Sequence, residues 1–271
     1  MSIARHHAKW ISLLDISGPF LSMPVLMRTF PQGLDAHKPE QYKDLRLTYE
    51  DWLAEKDDPA IHSAWIKYVM TQILELPSEV LAQGPALQNL CSPLPEWGET
   101  LRPDFAVIHP DHQRPLLLAN YCSPHQSLEK VIPNKRWQAS PATRMMELLH
   151  GVDCPLGLLT NGEEWMLVHA KVGETASYIR WYAYLWLEEI ATFRAFQVCW
   201  AFPASSPYRR MTFWRRCSRR APAINRKLTS SWECRFAGRW RCWFNLWTGR
   251  TGIRIERSSR GFPKRKSTMR R

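Results

Sequence analysis

Leu156-Gly-Leu-Leu-Thr160-Asn-Gly-Glu-Glu164-Trp-Met-Leu-Val-His169 is the stretch on which the fold turns. Two short apolar runs, Leu156–Thr160 and Glu164–His169, flank the dipeptide Asn161-Gly162. A type I′ hairpin turn favours that dipeptide because both of its central residues need positive φ. The stretch therefore predicts a hairpin of two buried strands, and a fold with a sheet in it.

Immediately upstream, Ser140 with Pro141 has the chemistry of a helix start, Met145, Met146, Leu148 and Leu149 supply an apolar side, and Gly151 ends the segment. Before that helix, Phe105–His109 and Leu116–Tyr121 are short and apolar, and the Pro-containing connection 109–115 marks them as a second hairpin. Residues 92–103 read as a Pro-rich loop and 78–84 as a short helix. The N-terminal part is helical: 2–16 and 19–30, then 39–55 with Tyr42, Leu45, Tyr49 and Trp52 on one face, then 59–75 behind an Asp58-Pro59 cap. Downstream of the Asn-Gly hairpin, 174–196 reads as one amphipathic helix carrying Tyr178, Trp181, Leu185 and Ile190. These elements make an α+β fold with a small mixed or antiparallel sheet, divided into a helical subregion 1–90 and an α+β module 91–197.

Residues 198–271 are different in kind. They hold 17 Arg and 3 Lys against only Glu233 and Glu256, a surplus of 18 positive charges, so of the overall +12 the remaining residues 1–197 carry −6. Six of the fourteen Trp and four of the seven Cys also fall there, without any sustained period of 2 or 3.6. Disordered tails are normally poor in aromatics, whereas out-of-frame translation of a GC-rich gene yields this mixture of Arg, Trp, Cys, Ser and Pro. The expectation is an unpatterned basic tail created by a frame shift near codon 197. Read as a genuine product instead, the tail would be an Arg/aromatic nucleic-acid binder, and in either case it would hold DNA non-specifically.

Seven Cys with no CxxC pair read as reduced thiols. Asp15, Gly18 and Pro19 interrupt the N-terminal apolar stretch before a secretory core is complete, and no segment reaches the ~18 unbroken apolar residues of a membrane span, so the expected location is the cytoplasm, without membrane association.

The segment Arg102-Pro-Asp104-Phe, followed by strand, turn, strand, helix and then Leu158-Leu-Thr-Asn161-Gly-Glu-Glu-Trp165-Met-Leu-Val, resembles a specific group. It looks like the nuclease-like domain of type I restriction endonuclease R subunits and of long single-chain restriction-modification methyltransferases. The resemblance is closest over about 95–170 and looser over 1–197. It implies a parent protein that is a SAM-dependent DNA methyltransferase in bacterial phage defence, with DNA and restriction-modification subunits as partners, of which this chain would be the leading, non-catalytic piece.

Such a nuclease needs two carboxylates for Mg²⁺ and a lysine beside the attacking water. Asp104 is present, but where the second strand should supply acid, any residue, lysine, the chain reads Ala119-Asn120-Tyr121. The resemblance therefore implies a site that has lost its chemistry, with Asp104 reduced to a strand-end residue and no cofactor for this chain. It also points to Tyr121, Lys135, Arg136, Trp137 and Arg144 as candidates to contact DNA or a partner, because they follow the second strand and run into the next helix. The rival reading is a Mg²⁺-dependent endonuclease in which Glu79 or Glu99 supplies the missing acid.

Other residues carry weaker signals. His109, Asp111 and His112 sit in a connection where polar residues are common, His6-His7 are about 100° apart on a helix, and Glu163 and Glu164 should point to opposite faces. There is no GxGxxG, no GxxxxGK[ST], and no Asn-Pro-Pro-Tyr of the kind with which adenine methyltransferases hold their base, so methyl transfer is not expected from these residues.

Overall fold

A computed structural model describes residues 3–18, 21–34, 36–109, 114–133 and 135–200. The basic tail, beyond its first three residues, lies outside the described residues, as do Asp111 and His112. The described part is an α+β unit built on a seven-stranded mixed sheet, with helices on both faces.

Along the chain come helix α1 (Ile3–Ile11), strand β1 (Asp15–Ser17), α2 (Met23–Thr29), α3 (Pro39–Ala54) and α4 (Pro59–Tyr68), the last continued by a π-helical turn over Val69–Ile73. Then follow β2 (Leu81–Ala82), a two-stranded ribbon of β3 (Ser92–Leu94) and β4 (Glu99–Leu101), β5 (Phe105–Ile108) and β6 (Pro115–Tyr121). Helix α5 (Pro141–Val152), β7 (Leu156–Thr160), β8 (Glu164–His169), β9 (Ser177–Tyr182), α6 (Ala183–Glu188) and α7 (Ile190–Trp200) complete it. The sheet order is β1-β9-β8-β7-β6-β5-β2. β6 and β7 pair in parallel, joined across α5, and the other neighbours are antiparallel.

Strand alternation divides the core in two. Leu117, Ala119, Leu158, Trp165, Leu167, Ile179 and Trp181 face one way, against Trp10, Trp52, Trp65, Trp186 and Phe196 of the N- and C-terminal helices. Leu118, Leu159, Met166 and Val168 face the other way, against Met145, Leu148 and Leu149 of α5 and Leu101 of the ribbon. β7 is buried at every position because both faces are covered, which is why its sequence is an unbroken apolar run rather than an alternation.

The structure corrects several expectations. The predicted helix 174–196 is instead β9 followed by α6 and α7. Ser177–Tyr182 alternates buried and half-buried residues with period 2, and β9 is drawn in between β8 and β1, so sheet pairing outcompetes helix propensity there. The N-terminal helix stops at Ile11, and Asp15–Ser17 becomes a sheet edge paired with Tyr178–Arg180. The Pro-rich loop contains the β3–β4 ribbon, and the segment 78–84 is one 3₁₀ turn leading into β2. Helix α5 runs through Gly151 to Val152 and ends on Asp153 in the left-handed region at φ 54°. Gly151 serves packing, since a Cβ there would lie 2.2 Å from Ser92 Oγ. The last helix continues through buried Val198 and Cys199 to Trp200, three residues past the predicted break.

The Asn161-Gly162 hairpin is present, but not as a type I′ turn. Gly162 has φ +91°, while Asn161 is not among the positive-φ residues and works through its side chain, whose Oδ1 accepts from the Glu163 and Glu164 amides at 3.0 and 2.7 Å. An Asx-type turn replaces the expected backbone geometry.

Candidate functional site

Sheet hairpin β5–β6, the start of α5 and strand β4 surround a cleft of about 460 Å³. Arg102, Asp104, Asn120, Tyr121, Lys135 and Arg144 are among its lining residues, so the cleft gathers Asp104 and three of the five proposed contact residues.

Pro103 and Asp104 lead into β5, and the Asp104 amide pairs with the Ala119 carbonyl at 2.9 Å. The Asp104 carboxylate accepts from the Tyr121 amide at 3.0 Å and the Asn120 side-chain amide at 3.3 Å, and that same Nδ2 donates to the Arg102 carbonyl at 2.9 Å. Desolvation in the cleft pushes the Asp104 carboxyl above its ordinary value against the opposing pull of these two hydrogen bonds, although the residue keeps a solvent-facing surface. The motif-derived register placed the second acid at Ala119. Alternation along β6 instead turns Ala119 into the helix-side core and presents Asn120 to Asp104. The lysine position by the motif register is Tyr121, which has no cation to offer; its neighbour Cys122 also lines the cleft, with a thiol pushed up to about 12, first by burial and then by the Asp104 charge, and is therefore no nucleophile at neutral pH. A carboxamide, not a carboxylate, thus faces Asp104, and its Nδ2 is shared between the Asp104 carboxylate and the Arg102 carbonyl.

Of the proposed acids, Glu99 is engaged by Arg144 at 2.9 Å, both side chains 16% exposed, and Glu79 lies on the 3₁₀ turn before the edge strand β2. Arg144 also donates to the Trp137 carbonyl at 3.1 Å and lies over the Trp137 ring, 5.6 Å from its centroid. Trp137 is half-buried against the α5-side core. Lys135, Arg136 and Trp137 therefore sit on the β6–α5 connection and not along a helix; only Arg144 is helical. Arg136 donates to the Gly98 carbonyl at 3.3 Å and Arg102 to the Gln88 carbonyl at 3.2 Å, while Lys135 is exposed at the cleft.

The hairpin turn braces this site from beneath. Asn161 Nδ2 donates to the Gln126 carbonyl at 3.0 Å, and the Cys122 amide to the Thr160 carbonyl at 2.8 Å, so the turn holds the loop leaving β6. The Trp65 and Trp165 indoles both donate to the Gly162 carbonyl, at 2.8 and 3.0 Å. Tyr121 packs between Phe105 and His62, at ring separations of 5.8 and 6.4 Å, and remains 38% exposed.

Elsewhere, His6 and His7 stand apart in role: His7 Nε2 meets the Phe30 carbonyl at 3.0 Å. Glu163 accepts from Tyr49 on the helix side, and Glu164 binds Arg180 on the other face, in keeping with strand alternation. Among the described residues no group of three or more His, Cys, Asp or Glu is placed to hold a metal ion, and no helix is long and apolar enough to cross a membrane.

Sequence reasoning missed Asn120 as the residue facing Asp104, and missed the β3–β4 ribbon as a wall of the cleft. The first left no local signal, because β6 is buried at four consecutive positions and only its pairing register decides which side chain meets Asp104; the second was masked by Pro93 and Pro95.

Comparison with protein-family models, curated proteins and solved structures gives no match to this chain.

Proposed function

We propose that the described unit is a non-catalytic, DNA-engaging module of the restriction-modification type, serving a larger SAM-dependent DNA methyltransferase in phage defence. The observation that carries this reading is the pairing of Asp104 with Asn120 at the floor of a cleft edged by Arg102, Lys135 and Arg144. An antiparallel hairpin followed by a helical crossover to a parallel strand is also the order of elements that the resemblance implies, with the Pro-Asp at the hairpin's start. One carboxylate held by an amide cannot support a metal-dependent hydrolysis that needs two, while cations around the cleft remain able to meet phosphates. SAM belongs to the methyltransferase part of such a parent, and the endonuclease alternative is disfavoured because Glu99 is already paired with Arg144.

The test uses the full chain. Duplex binding is measured across a salt series for the parent chain and for a variant carrying Arg102→Ala and Lys135→Ala, together with plasmid cleavage in Mg²⁺. Weaker binding with a salt slope shallower by about one to two, and no cleavage, supports the reading. Unchanged binding overturns it, and EDTA-sensitive cleavage lost in Asp104→Ala restores the endonuclease.

A further inference from the structure

The tip of the β3–β4 ribbon carries a feature that duplex contact does not use. Trp97 is 44% exposed at the turn, and no described ring packs on it. An indole left partly in water on a tight turn keeps an open face to which a planar ligand can be added.

The turn that carries the ring is held rather than loose. The Trp97 amide donates to the Leu94 carbonyl at 3.1 Å and the Gly98 amide to the Pro95 carbonyl at 3.3 Å; Gly98 has φ +60°, and Arg136 clasps its carbonyl. Two residues on, Glu99 is fixed by Arg144, and Thr100 and Leu101 form a wall of the cleft. Trp97 therefore stands on the same short ribbon that walls the cleft, with Arg136 touching its neighbour and Lys135 lining the cavity. Asn120, also in the wall, keeps its buried Oδ1 without a hydrogen-bond partner.

We infer that the cleft takes an unpaired nucleotide of a DNA strand, with Trp97 as the ring on which an adjacent base stacks. The inference rests on the DNA-engaging reading and specifies the form of DNA. A space of about 460 Å³ is of the size that encloses a small ligand and is too narrow to admit a duplex. Stacking needs an exposed ring with cations near enough to meet the backbone: Trp97 is exposed, Arg136 holds the carbonyl of the adjacent Gly98, and Lys135, next to Arg136 in sequence, lines the cleft. The acids nearby bear on the choice of ligand. Glu96 is exposed next to Trp97, and Asp104 lies within the cleft, so a densely charged polyphosphate is disfavoured and a base with one phosphate beside Lys135 is accepted. The orphan acceptor of Asn120 fits the exocyclic amino group of such a base, a donor that no described residue provides.

Fluorescence anisotropy on the full chain, with a labelled single-stranded 12-mer and a blunt, hairpin-closed duplex, at a salt concentration that suppresses the tail's non-specific contacts, tests this. Trp97→Ala should weaken single-strand binding by roughly 5- to 100-fold, as loss of one stacked base does, and leave duplex binding and Tm unchanged. Trp97→Phe should recover most of the loss. If Trp97→Ala lowers both substrates equally, or neither, while the Arg102→Ala, Lys135→Ala variant still weakens binding, the DNA reading survives, this inference falls, and Trp97 is left to a protein contact. If no variant alters either affinity, both fall.

Discussion

Trp52 donates its indole N–H to His62 Nδ1 at 3.2 Å, and this single contact settles which tautomer His62 adopts. With Nδ1 accepting, the ring hydrogen is on Nε2, which donates to the Cys122 carbonyl at 2.8 Å. The same wiring recurs at Trp10 and His7, where the indole donates to Nδ1 at 3.2 Å and Nε2 meets the Phe30 carbonyl. At His62 it ties α4 to the first residue after β6, beside the cleft.

The His62 tautomer makes stability depend on pH. Burial, the largest cause, holds the folded His62 below its ordinary value of 6.5, against an opposing pull from the Cys122 carbonyl. Between that lowered folded value and 6.5 the unfolded chain binds more protons than the folded one, so stability rises with pH through this window. His169, also lowered first by burial, adds to the slope. Thermal melts should show a constant Tm above about 6.5 and a falling one below it, and His62→Gln should reduce the acid slope. A melt profile that is flat from 7 to 5 would contradict this.

Gly162 is a second point of strict demand. It has φ +91°, and a Cβ there would lie 2.7 Å from Trp52 Cζ2 and 3.0 Å from His62 Cε1. Gly162→Ala must both adopt a strained backbone and displace two buried rings, costing about 2 kcal/mol or more in a denaturant titration. A loss under about 0.5 kcal/mol would mean the turn relaxes without cost.

Arg180 gathers three carboxylates on the α5-side face: Asp15 at 2.6 Å, Glu129 and Glu164 each at 2.9 Å, with its own side chain 13% exposed. The Asp15 carboxyl is held below its ordinary value first by the Tyr182 hydroxyl and then by Arg180, with partial burial opposing. A depressed carboxyl stabilises above its unfolded value near 3.8 and loses that contribution as pH falls through the folded value. Arg180→Met should therefore cost about 2–3 kcal/mol at neutral pH and less below pH 4, where the stranded carboxylates are protonated. Equal losses at both pH values would show that packing, not charge, is what Arg180 supplies.

Asn120→Asp would place a carboxylate against the Asp104 carboxylate and remove the donor to the Arg102 carbonyl. Tm in EDTA should fall by an amount worth about 1–3 kcal/mol, and Mg²⁺ should recover part of it by bridging the pair. The parent chain should show no Mg²⁺-dependent shift. Failure of Mg²⁺ to stabilise the variant would mean that this hairpin end cannot be rebuilt into a metal site by one residue.

The α+β class, the two hairpins, the helices α3, α4 and α5, and the chemical break before the basic tail are all carried by local features: Pro39 opens α3, Asp58 and Ser140 cap α4 and α5 through their own side chains, and Leu156–Leu159 is an unbroken apolar run. Those signals act over a few residues, so the sequence alone determines them. What only the tertiary structure decided is which neighbour each ambiguous segment found. Ser177–Tyr182 could satisfy a helix or a strand, and became β9 because β8 and β1 offered hydrogen bonds on both of its edges. Asn120, rather than Ala119, meets Asp104 because pairing of Phe105 with Ala119 sets the register, and a shift of one residue sends a side chain to the opposite face. Thr100, Lys135 and Arg144 are scattered in sequence and are gathered around one cleft by the β3–β4 ribbon and the start of α5, through contacts that no local pattern encodes.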